Sequence, residues 1–404
     1  MQELKRIINY KRIILLLIAA TVNVVFFLYD NKPVMDEDII NKENVAHETY
    51  IKNYHEEVNA IIDNADKLKK YSIFNKAGSF SYANILQTAR DFERVKNVIL
   101  PEDEYKGVQA YTTYYYQYFF TMLVMMFVIY DMFAQRDNGM WSITYSCANG
   151  RIMYAIKQTG VIVVTGAFTH TLIYWSTFIA AMLQRGGVRD LVNPVQTIET
   201  FDKFTYPWSK IKYVTVLYLI SMVCIVALCI TIWGVFVMFR NRVYALVTML
   251  IFAAVEQFIY SHIDIHSVWN GLHYINIINI ININATFSSY RNWGVGTYVF
   301  PVFSVVLFVH IICAGVIGYI AINVSASMKP YKNTTFIKRF TDCVSAGCQK
   351  ILARIPFLFK EIHKFIFTSH CGWVVVVMLT VTAYVCQTGQ YHYTDDNKYM
   401  DSEY

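Results

Sequence analysis

Hydrophobic and polar positions alternate along this chain in long blocks. Seven apolar runs, near residues 13–29, 114–133, 161–183, 214–239, 244–260, 298–324 and 373–388, are separated by polar segments. Each comes near the roughly 20 residues that a helix needs to cross hydrocarbon, where open backbone finds no water. Between the first two runs, the stretches DIINKENVAHETYIKNYHEEVNAIIDNADKLKK and YANILQTARDFERVKNVIL carry apolar residues at helical spacing and end at the turn-like NKAGS and at Pro101. They predict a small, mainly helical domain over residues 30–110.

Charge orients the runs. Lys5, Arg6, Lys11 and Arg12 precede the first, which places the N-terminus in the cytoplasm. No small-residue cleavage site follows, so the run reads as an uncleaved anchor rather than a signal peptide. Counting onward, residues 134–160, 240–242 and 325–372 are cytoplasmic. The last carries eight Lys and Arg against Asp342 and Glu361, in agreement with that assignment. Residues 30–110 and the C-terminus then fall outside.

Composition supports a bilayer solvent: 55% of the 404 residues are hydrophobic, 16% are charged and the mean hydropathy is +0.34, too apolar for one water-soluble core. The 31 Tyr and 27 Phe suit helix ends at membrane interfaces. The net charge of +6 is divided among segments between helices and gives no reason to expect nucleic acid. None of the eight cysteines lies in residues 30–110, which excludes a secreted disulfide framework there. Cys343, Cys348, His363, His370 and Cys371 lack the tight ligand spacing of a zinc site, so no metal is expected. No G-x-x-x-x-G-K-[ST], H-E-x-x-H or G-x-S-x-G occurs, so the chain is not expected to be an enzyme and carries no nucleotide site of that kind.

The segment FAQRDNGMWSITYSCANGRIMYAIKQTG, residues 133–160, is too polar to cross and too patterned for a slack loop. An apolar-aromatic stretch at 140–145, a turn at Asn149 and Gly150, and a short helix from Arg151 to Lys157 form a docking shape. It resembles the cytoplasmic coupling element of ABC-2-type transporter permeases, the matching positions being Gln135, Arg136, Asp137, Gly139, Gly150, Arg151 and Lys157. Gln135 stands where that family carries glutamate, so no salt bridge is carried over there. The order of parts over residues 1–325 is similar as well.

The resemblance implies a permease subunit that exports a substrate across the cytoplasmic membrane of a bacterium. A separate P-loop ATPase would bind ATP and Mg, with no cofactor in this chain, and a second permease unit would complete the pathway. Trp141, Ile143 and Tyr145 would seat in the ATPase cleft, with Arg136 and Arg151 orienting them. The alternative is an interfacial helix on lipid headgroups, where Trp and Arg are equally at home. The implied fold is an all-α integral membrane protein with about seven transmembrane helices and a re-entrant hairpin before the sixth. Its parts are an anchor (1–29), an extracytoplasmic domain (30–110), a five-helix core with its coupling element (111–325 and 134–160), a basic linker (326–372), and a seventh helix with an external tail (373–404). The hairpin is the Asn-rich HIDIHSVWNGLHYINIINIININATFSSYRNWGVGTY, whose INIINIININ also reads as a strand-like surface loop.

Glu256 is the carboxylate deepest in an apolar run and a pathway or gate candidate together with His170 and His310. It either pairs with one of those histidines or reaches water near Tyr260, Ser261 and His262. Asn23, His170 and His310 also suit interhelical hydrogen bonds. The tail DNKYMDSEY echoes DNKPVMDED after the first run, each following an inside-to-outside helix. That leads to the expectation of a truncated two-unit permease, with chance agreement over five positions as the alternative. Two other classes stay open: a receptor or resistance protein that captures a peptide through residues 30–110, and an ion-coupled carrier using Glu256. The substrate is not readable from the residues.

Overall fold

The computed structural model describes residues 10–33, 37–71, 76, 78–101, 106–137, 150–239, 241–263 and 269–327. Helix α1 (Tyr10–Asp30) leads into α2 (Glu37–Leu68) and α3 (Phe80–Glu93), and a short α4 (Gly107–Thr113) breaks at Tyr114 before α5 (Tyr116–Asp137). Between α6 (Gly150–Arg185) and α7 (Lys210–Met238) run three single-turn 3-10 helices. After α8 (Arg242–His262) come three short helices, α9 (Asn270–Ile275), α10 (Ile277–Ile281) and α11 (Ile283–Ser288). The hairpin of β1 (Asn292–Val295) and β2 (Tyr298–Pro301) then feeds α12 (Val302–Ser327).

Six of these helices, α1, α5, α6, α7, α8 and α12, are long and apolar enough to cross a membrane, and they mark a multi-pass membrane protein of mainly helical fold. The expected seventh span at 373–388, the linker beyond residue 327 and the terminal echo lie outside the described residues.

Burial sets the layout. In the most apolar 18-residue stretch of each helix about 61% of the residues are buried by protein in α7, against 11% in α8, so α7 is the axis of the bundle and α8 its flank. Close approach makes the axis possible: Gly166 of α6 lies against Cys229, and Gly318 of α12 against Ile230. On α1, Leu16 packs with Val124 and Val128 of α5 and Leu172 of α6. At the end where α1 finishes, Gln184 donates to Leu28 O and Arg185 to Asn31 O and Lys32 O, at 2.9–3.0 Å. There α6 stops at Gly186 and Gly187, whose φ of 73° and 100° suit glycine alone.

Three departures from sequence pattern have local causes. The predicted short helix at 151–157 is continuous with its span, since no proline separates Gly150 from Arg185. The sixth span starts at Val302, because Tyr298–Pro301 pairs in antiparallel register with Asn292–Val295 around a tight turn at Gly296, φ 64°. INIINIININ is helical, not a strand: Asn276 caps α10 by accepting from Ile278 N at 2.8 Å, and Thr286 donates to Asn279 O at 3.2 Å.

Helices α2 and α3, with the described residues 94–100, form a layer at that same end. Tyr54 and Val58 of α2 pack with Phe92, Val95 and Leu100, and Tyr290 closes the cluster from the distant hairpin segment. Ser79 starts α3 by capping Tyr82 N at 3.2 Å.

Candidate functional site

The end of the bundle opposite that layer holds the described flanks of the predicted coupling element, the end of α5 and the start of α6. Gly139 and Trp141 lie outside the described residues; Gln135 and Asp137 stand on the last turn of α5, with their side chains also outside the description. Arg136 reaches across to α7, donating from Nη1 to Phe236 O at 2.9 Å, and its guanidinium lies 4.7 Å from the Phe133 ring centre. The Phe133 and Phe236 rings meet at 5.6 Å, and Arg242 at the start of α8 covers Tyr130 at 4.4 Å. Thus one arginine staples the ends of α5 and α7.

Gly150 begins α6, and Arg151 and Lys157 are exposed on its first turns beside exposed Ile152, Met153 and Ile156. Gly166 opposes Cys229; nine residues of α7 follow that level whereas sixteen of α6 precede it. Helix α6 therefore overshoots α7 by about two turns, or roughly 10 Å at 1.5 Å per residue. The overshooting tip pairs cations with uncovered apolar side chains.

His170 sits elsewhere, in the packed interior. It is 1% exposed, with Nε2 2.8 Å from Ser221 Oγ of α7 and its ring stacked 5.7 Å from Tyr218 at 7°. Tyr118 of α5 and Tyr174 flank it at 6.0 and 5.4 Å, and Tyr174 donates to Val214 O at 2.7 Å. Asn23, fully buried, donates to Thr177 Oγ1 at 2.7 Å and accepts from Tyr114 at 3.0 Å. Both are interhelical hydrogen-bonding residues, as one sequence reading held.

Glu256 does not meet His170. Its Oε2 accepts from Ile277 N at 3.0 Å while its carbonyl accepts from Asn276 Nδ2 at 2.7 Å, so it anchors the first turn of α10 to α8. His310 on α12 lies within electrostatic reach of Glu256, and its Nδ1 approaches Val306 O at 2.8 Å. Asn284 completes the attachment, donating to Thr112 O at 2.8 Å and accepting from Tyr213 at 2.7 Å. The signal for these asparagines was present, since polar amides inside an apolar run must find partners.

The layer and the bundle are joined by contacts that no local pattern announces. Tyr50 of α2 donates to Gln196 O at 2.8 Å, and Gln196 Nε2 donates to Phe204 O and Tyr206 O at 3.0 and 2.7 Å. Phe201, Phe204 and Phe287 surround Tyr213 with ring centres 4.7–5.4 Å away. Asp91 accepts from Gln87 at 2.9 Å and from the Tyr290 hydroxyl at 2.9 Å.

Burial, with the Asp91 carboxylate adding to it, pushes the Tyr290 phenol up to about 12, and burial likewise raises Tyr50 and Tyr54. An unfolded tyrosine loses its proton near 10.0 while Tyr290 keeps it, so the layer loses stability as pH rises from there and the loss levels off past about 12. Hydrogen exchange of residues 50–95 across pH 9–12 should show that slope, and Tyr290→Phe should flatten its share. An unchanged slope in Tyr290→Phe would remove Tyr290 from the account.

Among the described residues no group of three His, Cys, Asp or Glu side chains is placed to hold a metal ion. No protein-family model, characterised protein or solved structure matches the chain.

Proposed function

We propose that the chain is the permease subunit of an ABC transporter that exports its substrate across a bacterial cytoplasmic membrane, driven by a separate P-loop ATPase and completed by a second permease unit. The overshooting tip of α6 carries this reading. A helix of 36 residues is about 54 Å long, whereas hydrocarbon needs about 30 Å. Because its far end is tied to the exit of α1, the surplus projects at the Gly150 end. Exposed Ile152 and Ile156 beside Arg151 and Lys157 suit a protein cleft there, and the Arg136 staple hands a displacement of α5 to α7. The N-terminus and this tip are cytoplasmic in the proposal; the α2–α3 layer is outside; α9–α11 act as a re-entrant element held by Glu256.

The test is extraction of the native protein in mild detergent, with the co-purifying ATPase quantified. A P-loop ATPase in stoichiometric amount is expected. Ile156→Glu, at an exposed position, should lower it about tenfold, equivalent to ~1.4 kcal/mol of binding, with no change in thermal unfolding. Absence of any P-loop ATPase from the wild-type preparation sinks the reading.

A further inference from the structure

At the opposite end of the described bundle an open cleft of about 340 Å3 lies between the start of α3, helix α9 and strand β1. Its volume falls at the lower end of small-molecule sites, ~300–1,000 Å3. The rings of Phe80, Tyr274 and Trp293 supply its apolar walls, the last two 6.3 Å apart at 58°. Asn270 and Asn292 supply its amides. Among the described residues that line it, no side chain is charged at neutral pH.

The polar atoms are pre-oriented. Asn292 Nδ2 donates to Asn84 Oδ1 at 2.8 Å and to the Tyr290 hydroxyl at 3.1 Å, which leaves Asn292 Oδ1 as the acceptor on offer. The Tyr274 hydroxyl accepts from Arg291 at 3.3 Å, so its own proton is free to donate. Asn270 makes no side-chain hydrogen bond among the described residues and adds one acceptor and a two-hydrogen donor. The walls are stiff as well. Gly294 lies so close to the Phe80 ring that a Cβ would collide with it, and Gly271 presses on the edge of Trp293.

Flat aromatic faces beside paired donors and acceptors, with no charged side chain among the described lining residues, match a ring that is apolar on one face and hydroxylated around its rim. We propose that this cleft binds a neutral pyranose sugar, presented either by a free saccharide or by a glycolipid headgroup. Val302, the first residue of a membrane-spanning helix, forms part of its floor, which sets the cleft at headgroup level. The site is independent of the coupling end, and its failure would leave the permease reading untouched.

The experiment uses the full chain purified in a sugar-free detergent, since maltoside or glucoside detergents would compete, and placed in phosphatidylcholine nanodiscs. One arm titrates maltose and lactose by saturation-transfer NMR; the other includes monoglucosyl-diacylglycerol and reads retained lipid by native mass spectrometry. Saturable binding in the first arm identifies a free saccharide, and binding in the second alone identifies a headgroup. Asn270→Ala and Trp293→Leu should each weaken binding about tenfold, while Val295→Ala, at an exposed position, should not. Asn270→Ala breaks no side-chain hydrogen bond among the described residues and keeps the test valid if Trp293→Leu misfolds. No binding in either arm, binding indifferent to Asn270→Ala, or binding of a peptide in preference to every sugar overturns the proposal.

Discussion

Gly107→Val is expected to destabilise the protein by about 3 kcal/mol, at the upper end of the usual overpacking range. Gly107 opens α4, and a Cβ there would collide with Gly186 O and stand 2.7 Å from Met182 Cε. A methionine tip can swing away, but the carbonyl cannot. Gly186 is held by its own N–H on Met182 O at 2.9 Å and lies in the left-handed terminus that ends α6. Either α4 leaves α6 or the end of α6 unwinds. Both release α5 from its register, because α4 enters α5 directly through Tyr114. Gly160→Ala is the control: a Cβ there meets nothing within 4 Å, and a helix interior gains up to ~1 kcal/mol from the exchange. Thermal unfolding of both variants in one detergent decides the matter. Equal midpoints for Gly107→Val and wild type would mean that α4 does not dock on the end of α6.

His170→Ala is expected to cost about 2–5 kcal/mol, the range for emptying a well-packed core site. The imidazole fills the space among Tyr118, Tyr174 and Tyr218 and reaches Ser221, so its loss opens a cavity where α5, α6 and α7 meet. His170→Gln keeps a polar atom for Ser221 and should recover part of the loss. A pathway residue behaves differently: His170→Gln would then change transport at unchanged stability. The expected result is the reverse, a lower unfolding midpoint with normal transport per folded molecule. If stability is unmoved and transport falls, His170 faces substrate.

These effects separate what one-dimensional pattern can say from what it cannot. The spans were legible because burial in hydrocarbon is decided run by run, by length and apolar content, with no need to know the neighbours. Helices α2 and α3 were legible for a related reason, their 3.6-residue apolar period. The alternative reading of INIINIININ as a strand-like loop fails, since its asparagines serve as caps and cross-links rather than as one face of a sheet. Alternation alone cannot tell a polar face from a set of capping groups.

The roles of the candidate residues were less accessible. His170 and Glu256 are similarly rare polar residues in apolar runs, yet one fills a three-helix core and the other anchors a short helix. Their partners are 51 and 21 residues away. The overshoot of α6 needed the opposition of Gly166 and Cys229, because hydropathy sets a span's length but not its level against its neighbours. Likewise the layer recruits Gln196 from a loop that sequence alone leaves unassigned, and Tyr290 from the predicted hairpin. The sequence by itself thus determined that the chain lives in a membrane, roughly where its six described spans lie, and that Glu37–Leu68 and Phe80–Glu93 are polar and helical. Only the tertiary structure decided which polar side chains lock helices, which helix end projects, and which aromatic and amide groups form a cleft, because each depends on contacts between segments far apart in the chain.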